Sequence, residues 1–283
     1  MTKIVAFAGK KQAGKSTAGN FLFGLEMWSI VDSETKEPLI SEFRVDEKGR
    51  LIIPVDFGGE KGVQPGIFNP TSREPAVRAF LNEFVWNTVK IYSFADILKE
   101  VCITLLGLTD EQCYGSNEQK NTPSKLLWEN MPGLPTGKKA FDKIRELGFE
   151  LKDTWSPSEP MTAREVMQYV GTEVFRKMFS NVWVEATIKR IIADAPGIAI
   201  ITDCRFPNEI EGIKNAGGSV IRLTRAPFAG GDEHYSEIAL DDWTEYDAVI
   251  DNANMTVQEQ NEELFKVLVS LDIIHPEMEE AQV

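Results

Sequence analysis

Residues 4–17 read Ile4-Val5-Ala6-Phe7-Ala8-Gly9-Lys10-Lys11-Gln12-Ala13-Gly14-Lys15-Ser16-Thr17, an apolar run that breaks at a glycine and is followed by a lysine–serine pair at the spacing G-x-x-x-x-G-K-S. Ile4 to Ala8 predicts a short β-strand. Ser16 to Gly24 predicts a helix with Phe21 and Leu22 available for burial. In a strand–loop–helix of this kind the glycines let backbone N–H groups curl around phosphate oxygens. Lys15 then reaches the outer phosphates and the Ser16 hydroxyl ligates magnesium. A glycine-rich turn that merely opens a helix is the plain alternative, and the strand on one side with the helix on the other argues against it.

Working outward, 283 residues with 42% hydrophobic content are enough to bury a substantial core. One domain with an insertion is expected. A formal net charge of -14 argues against broad coating of nucleic acid or an anionic membrane surface, so an anionic ligand must meet a local basic pocket. Cys102, Cys113 and Cys204 form no CxxC pair, and two histidines are too few for a zinc-type cluster at the usual spacings. A reducing cytoplasm fits this usage. The N-terminal apolar run is too short for a signal peptide, and no stretch is long enough to span a membrane.

The pattern along the chain is mainly α/β. Val89 to Phe94 predicts a second core strand running into a helix from Ala95 to Leu106, and Gly197 to Asp203 a near-continuous apolar strand of the kind buried on both faces. Asn208 to Ala216 predicts a helix, Ser219 to Leu223 and Ala248 to Asp251 two further strands, and Val257 to Leu271 a closing helix. Alternation of this kind implies a mainly parallel sheet with helices on both faces. Residues 26–88 interrupt it: strand-like stretches flank Asp46-Glu47-Lys48-Gly49, a glycine- and proline-rich segment follows, and helical pattern returns near Glu74 to Trp86, so a β-rich insertion is expected. Residues 107–160 are polar and predict short helices and loops that cover a site. Met161 to Phe179 predicts one strong helix, opened by a capping box of Thr162 and Glu165, and Val182 to Ala193 a second.

Several residues carry chemistry. Asp203 ends a buried strand, at the edge where open α/β sheets bind ligands, and Arg205 follows it. The aspartate can hold a magnesium-bound water or a substrate hydroxyl and the arginine can grip a phosphoryl group; capping of the next helix is the alternative for both. Projected at about 100° per residue, Val166, Val170 and Val174 share a core stripe, with Arg164, Gln168 and Gly171 on an adjacent polar stripe suited to a ligand cleft. Arg164 as a solvated helix residue is the alternative. Arg176 projects away from that stripe. Lys99 lies one turn into its helix, within reach of a phosphate at the helix start. Arg222 and Arg225 flank the end of a strand, and alternation favours Arg225 as the loop residue able to meet a transferring phosphoryl group. His234, Ser236 and Glu237 sit in DEHYSE without a nucleophile elbow, so no hydrolase triad is expected.

The set GKKQAGKST, SFADILK, TAREVMQYVGTEVFRKMF, ITDCRFPNEIEGIKNAGG, VIRLTR, HYSE and VIDN, in that order, resembles the bacteriophage deoxynucleoside monophosphate kinases. The resemblance covers roughly residues 1–25 and 89–271 and leaves 26–88 outside it. It implies a P-loop fold and Mg2+-dependent transfer of the γ-phosphoryl group of ATP to a deoxynucleoside 5'-monophosphate. On the matching positions, Gly9, Gln12, Ala13, Gly14, Lys15, Ser16 and Thr17 would hold ATP, with Asn252 near the base. Lys99, Arg164, Gln168, Thr172, Asp203 and Arg205 would line the acceptor site, with Arg176, His234 and Glu237 also on the substrate side. Ser16 and Asp203 would serve the metal, and Arg225 would be the lid arginine. The partner implied is the small-molecule substrate, in a host cytoplasm, without direct contact to nucleic acid; a homodimer is left open. A kinase of another phosphorylated metabolite, such as dephospho-coenzyme A, and a nucleotide-gated ATPase are the rival readings.

Overall fold

The apolar run before the glycine loop forms β1 (Lys3–Ala8), and every residue from Ile4 to Ala8 is buried. It is the middle strand of a five-stranded sheet in the computed structural model, which describes residues 1–32, 34–56, 58, 62–136, 138–152, 154–226 and 239–278. A strand buried on both faces needs hydrogen-bonding neighbours on both edges. β8 (Ile198–Cys204) pairs with one edge, Lys3 opposite Ile198, and β9 (Ser219–Leu223) with the other, Val5 opposite Ser219. β5 (Val89–Tyr92) lies beyond β8 and β10 (Ala248–Ile250) beyond β9, and every pairing is parallel. The order β10-β9-β1-β8-β5 makes β1 the point from which the topology runs to both sides, and such points bind ligands at their carboxyl ends.

Helices surround this sheet. α1 (Lys15–Ser29) and α10 (Val257–Ser270) pack Phe21, Leu22, Leu25, Leu264 and Leu268 into one core with Val5, Phe7, Ile200 and Ile221. A buried leucine of this kind cut back to alanine costs about 2–5 kcal/mol. On the other face, Ile213 of α9 (Pro207–Asn215) and Ile4 of β1 close on Gly218. α8 (Val182–Asp194) precedes β8.

α1 runs beyond Gly24, where the sequence pattern ended it. Phe43 and Leu51 press against the bare face of that glycine, and this packing offsets its poor helix propensity. Leu51 belongs to a three-stranded antiparallel sheet of β2 (Arg44–Val45), β3 (Leu51–Asp56) and β4 (Val63–Phe68), with the Asp46–Gly49 turn between the first two strands. After it come α2 (Pro75–Phe80) and a π-helical turn, Leu81–Val85.

Contacts divide the chain into two units, Met1–Ser93 with Thr187–Val283, and Phe94–Ala186. The second unit contains α3 (Phe94–Leu106), α4 (Asp110–Tyr114), α5 (Asn117–Lys120), β6 (Pro123–Leu127), α6 (Lys138–Glu146), β7 (Pro160–Thr162) and α7 (Ala163–Tyr169). Its core centres on Trp128, which meets Phe149 edge-on at 5.2 Å and also contacts Trp155 and Tyr169. The Tyr169 hydroxyl donates to the Pro132 carbonyl at 2.8 Å, so the ring is buried without stranding its polar end.

The expected capping box is present: Thr162 Oγ1 accepts from Glu165 N, and the Glu165 carboxylate accepts from Thr162 N. The expected single helix from Met161 to Phe179 is corrected. After Tyr169 the chain widens into a π-helical segment, Val170–Arg176. Gly171 explains the position: a side chain there would stand 2.7 Å from Leu98 of α3, and the Gly171 carbonyl accepts instead from the Trp183 indole at 3.2 Å. The valine stripe accordingly fades, with Val166 fully buried and Val174 only partly so. All three cysteines are buried thiols outside any disulfide, and burial pushes the Cys102 thiol up to about 12. Among the described residues, no helix is long and apolar enough to cross a membrane.

Candidate functional site

At the carboxyl end of β1 the backbone reverses through Gly9 (φ 147) and Gln12 (φ 60) and enters α1 through Gly14 (φ 99). Gly14 could not be replaced cheaply: a Cβ would lie 2.6 Å from Gln260 Oε1 and 3.3 Å from Asn252 Nδ2. The first turn of α1 has no side-chain cap and no acidic residue, so its N–H groups and the positive end of its dipole are left to an anion. Lys15 is buried, and its ammonium donates to the carbonyls of Gly9 and Lys10, each at 2.6 Å. It thus curls over its own loop.

Asn252 holds that loop from behind. Completely buried after β10, it donates to the Ala13 carbonyl at 2.7 Å and to Gln260 at 2.6 Å, and accepts from Arg225 N at 2.8 Å. The side chain placed near the base from sequence therefore supports the phosphate loop directly. Arg225 is drawn into the same arrangement. Its guanidinium donates to the Asn252 carbonyl at 3.0 and 2.9 Å, and to that of Met255. Arg222 points elsewhere, to the Leu240 carbonyl and the Tyr246 hydroxyl.

Asp203 is the penultimate residue of β8, the strand beside β1, and accepts from Ser93 Oγ at 2.5 Å. Arg205 follows, and its backbone N–H, with that of Phe206, is taken by the buried Glu209 carboxylate. Glu209 thereby fixes the turn from β8 into α9. The neighbouring Cys204 thiol is pushed well up by burial, then by the Glu209 and Asp203 charges, and stays neutral.

Within the second unit, Lys99 pairs with Asp96 at 3.4 Å and lies 4.4 Å from the Tyr114 ring centre. Arg164 donates to Asn121 at 3.0 Å and to Asn117 at 2.9 Å, tying α7 to both ends of the short α5. Between those asparagines stands Lys120, whose ammonium is pulled toward neutrality by burial and then by the charges of Lys99 and Arg164. Both charges therefore repel the Lys120 ammonium, an effect that a bound anion would offset. Gln168 and Thr172 are exposed on the same helical stretch as Arg164, and Arg176 is half-buried. His234 and Glu237 lie outside the described residues.

Sequence reasoning missed Ser93, Lys120, Glu209 and Gln260. Ser93 had a usable signal, because it lies at the carboxyl end of the expected strand Val89 to Phe94, where open α/β sheets bind ligands. Glu209 had one also, three residues past the N-cap Phe206. Lys120 and Gln260 had none, being polar residues on polar stretches.

A family model described as deoxynucleotide monophosphate kinase matches residues 111–263. A protein of Acanthamoeba polyphaga mimivirus, provisionally named a deoxynucleotide monophosphate kinase, is 31% identical over 182 residues, covering 59% of this chain and 76% of that protein. The deoxynucleoside-5'-monophosphate kinase of Escherichia phage T5 is 27% identical over 141 residues, 42% of this chain and 56% of the phage protein. The deoxynucleotide monophosphate kinase of Escherichia phage RB69 is 28% identical over 106 residues, 36% of this chain and 41% of the relative.

Proposed function

The chain belongs to the deoxynucleotide monophosphate kinase family, and we propose that it transfers the γ-phosphoryl group of ATP to deoxynucleoside 5'-monophosphates through the following residues. The loop from Gly9 to Thr17 holds the triphosphate. On binding, Lys15 exchanges the Gly9 and Lys10 carbonyls for phosphate oxygens, and the first-turn N–H groups of α1 take the rest. The observation that carries this reading is the buried Lys15 over an uncapped helix start, at the carboxyl end of the central strand.

Magnesium suits the oxygen donors present. Ser16 offers an exposed hydroxyl and Asp203 a carboxylate at the neighbouring strand end. An ion of this kind keeps several waters and shares substrate phosphates, so few protein ligands are required of the site. Bound there, it would neutralise charge on the β- and γ-phosphates. Ser93 orients the Asp203 carboxylate for this role.

An oxygen of the acceptor's phosphate attacks the γ-phosphorus in line, the bond from that phosphorus to the β–γ bridging oxygen breaks, and ADP leaves with the electron pair. No covalent enzyme intermediate forms. Lys15, Arg205 and Arg225 meet the charge developing on the transferred group. Lys99, Lys120 and Arg164 hold the acceptor phosphate, with Gln168 and Thr172 toward its nucleoside and Arg176, His234 and Glu237 on the substrate side. The phage and virus relatives fit work on the nucleotide pool of a host cytoplasm.

Incubation with Mg-ATP and each common ribo- and deoxynucleoside monophosphate, with diphosphates measured, tests this reading. Diphosphate from at least one deoxynucleotide is expected; no product from any of them sinks it.

A further inference from the structure

We infer that the turn between β2 and β3, residues 46–50, is a positioning element of the ATP site and acts on the phosphate loop through Thr17. The inference rests on the reading that residues 9–17 bind ATP. It concerns a segment outside the 111–263 stretch matched by the family model.

Gly49 is buried, at φ 75, against the first turns of α1. A methyl group in place of its hydrogen would overlap the Thr17 hydroxyl and come within 3.2 Å of Thr17 Cβ and 3.4 Å of Cγ2. The Gly49 carbonyl accepts from Asn20 Nδ2 at 2.8 Å. Further along α1, Gly24 meets Phe43 and Leu51 of the same insertion. Thr17, Asn20 and Gly24 fall at i, i+3 and i+7, one stripe of the helix, so the insertion lies along a single side of the element that presents the phosphate loop.

The turn is itself well fixed. Asp46 accepts from the backbone of Lys48 at 3.0 Å and of Arg50 at 2.9 Å, and from the Arg50 guanidinium at 2.7 Å; Gly49 N donates back to the Asp46 carbonyl at 2.8 Å. The Arg50 bond comes first among the causes that hold the Asp46 carboxyl below its usual range. A rigid turn pressed on Thr17 sets that side chain's position beside Ser16, where displacements well under 1 Å change how phosphate oxygens are met.

Binding of ATP by titration calorimetry, with steady-state kinetics, tests the inference on the full chain. Gly49→Ala is expected to weaken ATP binding about tenfold or more and to raise the KM for ATP, while kcat and the KM for the acceptor stay within about twofold. Gly217→Ala is the control: Gly217 has a similar φ of 78 but nothing within 4 Å, so its ATP affinity should equal that of the parent. In a Thr17→Ala background, adding Gly49→Ala should weaken ATP binding clearly less than it does in the parent, because the overlap with the Thr17 hydroxyl has gone and only the 3.2 Å approach to Cβ remains. If Gly49→Ala does not fold, Asn20→Ala removes only the hydrogen bond to the turn and is expected to weaken ATP binding about threefold. Parental ATP affinity in the folded Gly49 variant, or in Asn20→Ala where that replaces it, overturns the inference, as does full additivity with Thr17→Ala. A parent chain that binds ATP but phosphorylates no deoxynucleotide sinks the proposed activity and leaves this test standing; one that binds no ATP overturns both.

Discussion

Asn252 Nδ2 donates to the Ala13 carbonyl at 2.7 Å, joining the segment after the edge strand β10 to the floor of the phosphate loop. Asn252→Ala strands the Ala13 carbonyl, Gln260 Oε1 and the Arg225 N–H together. Each buried group left unpaired costs about 1–3 kcal/mol, so a drop of several kcal/mol in unfolding free energy is expected, with a higher KM for ATP. Denaturant melts and ATP titration of the same preparation check both; unchanged ATP affinity would remove Asn252 from the donor site.

Arg225 faces two demands. Its guanidinium holds the Asn252 and Met255 carbonyls, and the lid role requires it to leave them during transfer. If it stabilises the transferring group as arginine fingers do, Arg225→Ala lowers kcat by about 10³ or more, and that is the expected result. A variant with parental kcat and a raised KM for ATP would instead assign it to holding the 252–255 segment.

Ser93→Ala frees Asp203 from its 2.5 Å hydrogen bond without touching the carboxylate. Loss of a partner that orients a metal-side ligand typically costs about 10–100-fold in metal affinity or activity. Initial rates against Mg2+ concentration should therefore shift to higher metal in this variant, and coincident curves would deny Ser93 the role.

How far the sequence could be read depended on the range of the interaction. The runs Ile4 to Ala8 and Gly197 to Asp203 announced themselves because parallel strands buried on both faces are near-continuously apolar. The phosphate loop was legible because its backbone geometry demands particular residues at fixed spacing. The widening at Val170 was not, since its residues suit α- or π-helical turns equally and the choice falls to Gly171 against Leu98 and Trp183. Contacts such as Gly49 with Thr17, or Asn252 with Ala13, join residues that no local pattern relates.

Lys120→Met should raise the KM for the deoxynucleotide about tenfold while leaving that for ATP unchanged, because the cations acting on its ammonium, Lys99 and Arg164, are both on the proposed acceptor side. Its lowered pKa also implies that acceptor binding draws a proton onto Lys120 as pH rises into the alkaline range. Calorimetry in two buffers of different ionisation enthalpy measures that uptake; equal heats in both would refute it.

Burial raises Glu26, on α1, from 4.5 to about 7, partly opposed by the charge of Lys3. An unfolded chain ionises this group near 4.5, so between 4.5 and about 7 the native state holds the extra proton and stability falls as pH rises. The loss is on the order of 3 kcal/mol above that window. Glu26→Gln should flatten this part of the curve and melt higher than the parent at pH 8.

β1 is synthesised first, yet its partners are β8 and β9, with Lys3 opposite Ile198 and Val5 opposite Ser219. Neither edge of β1 can take these partners until β8 and β9 have been made. The phosphate loop cannot take its shape until then, because Asn252 beneath it emerges later still. Until that pairing is made the phosphate loop lacks its support from Asn252, and a sheet whose neighbours lie this far apart in sequence tends to fold slowly.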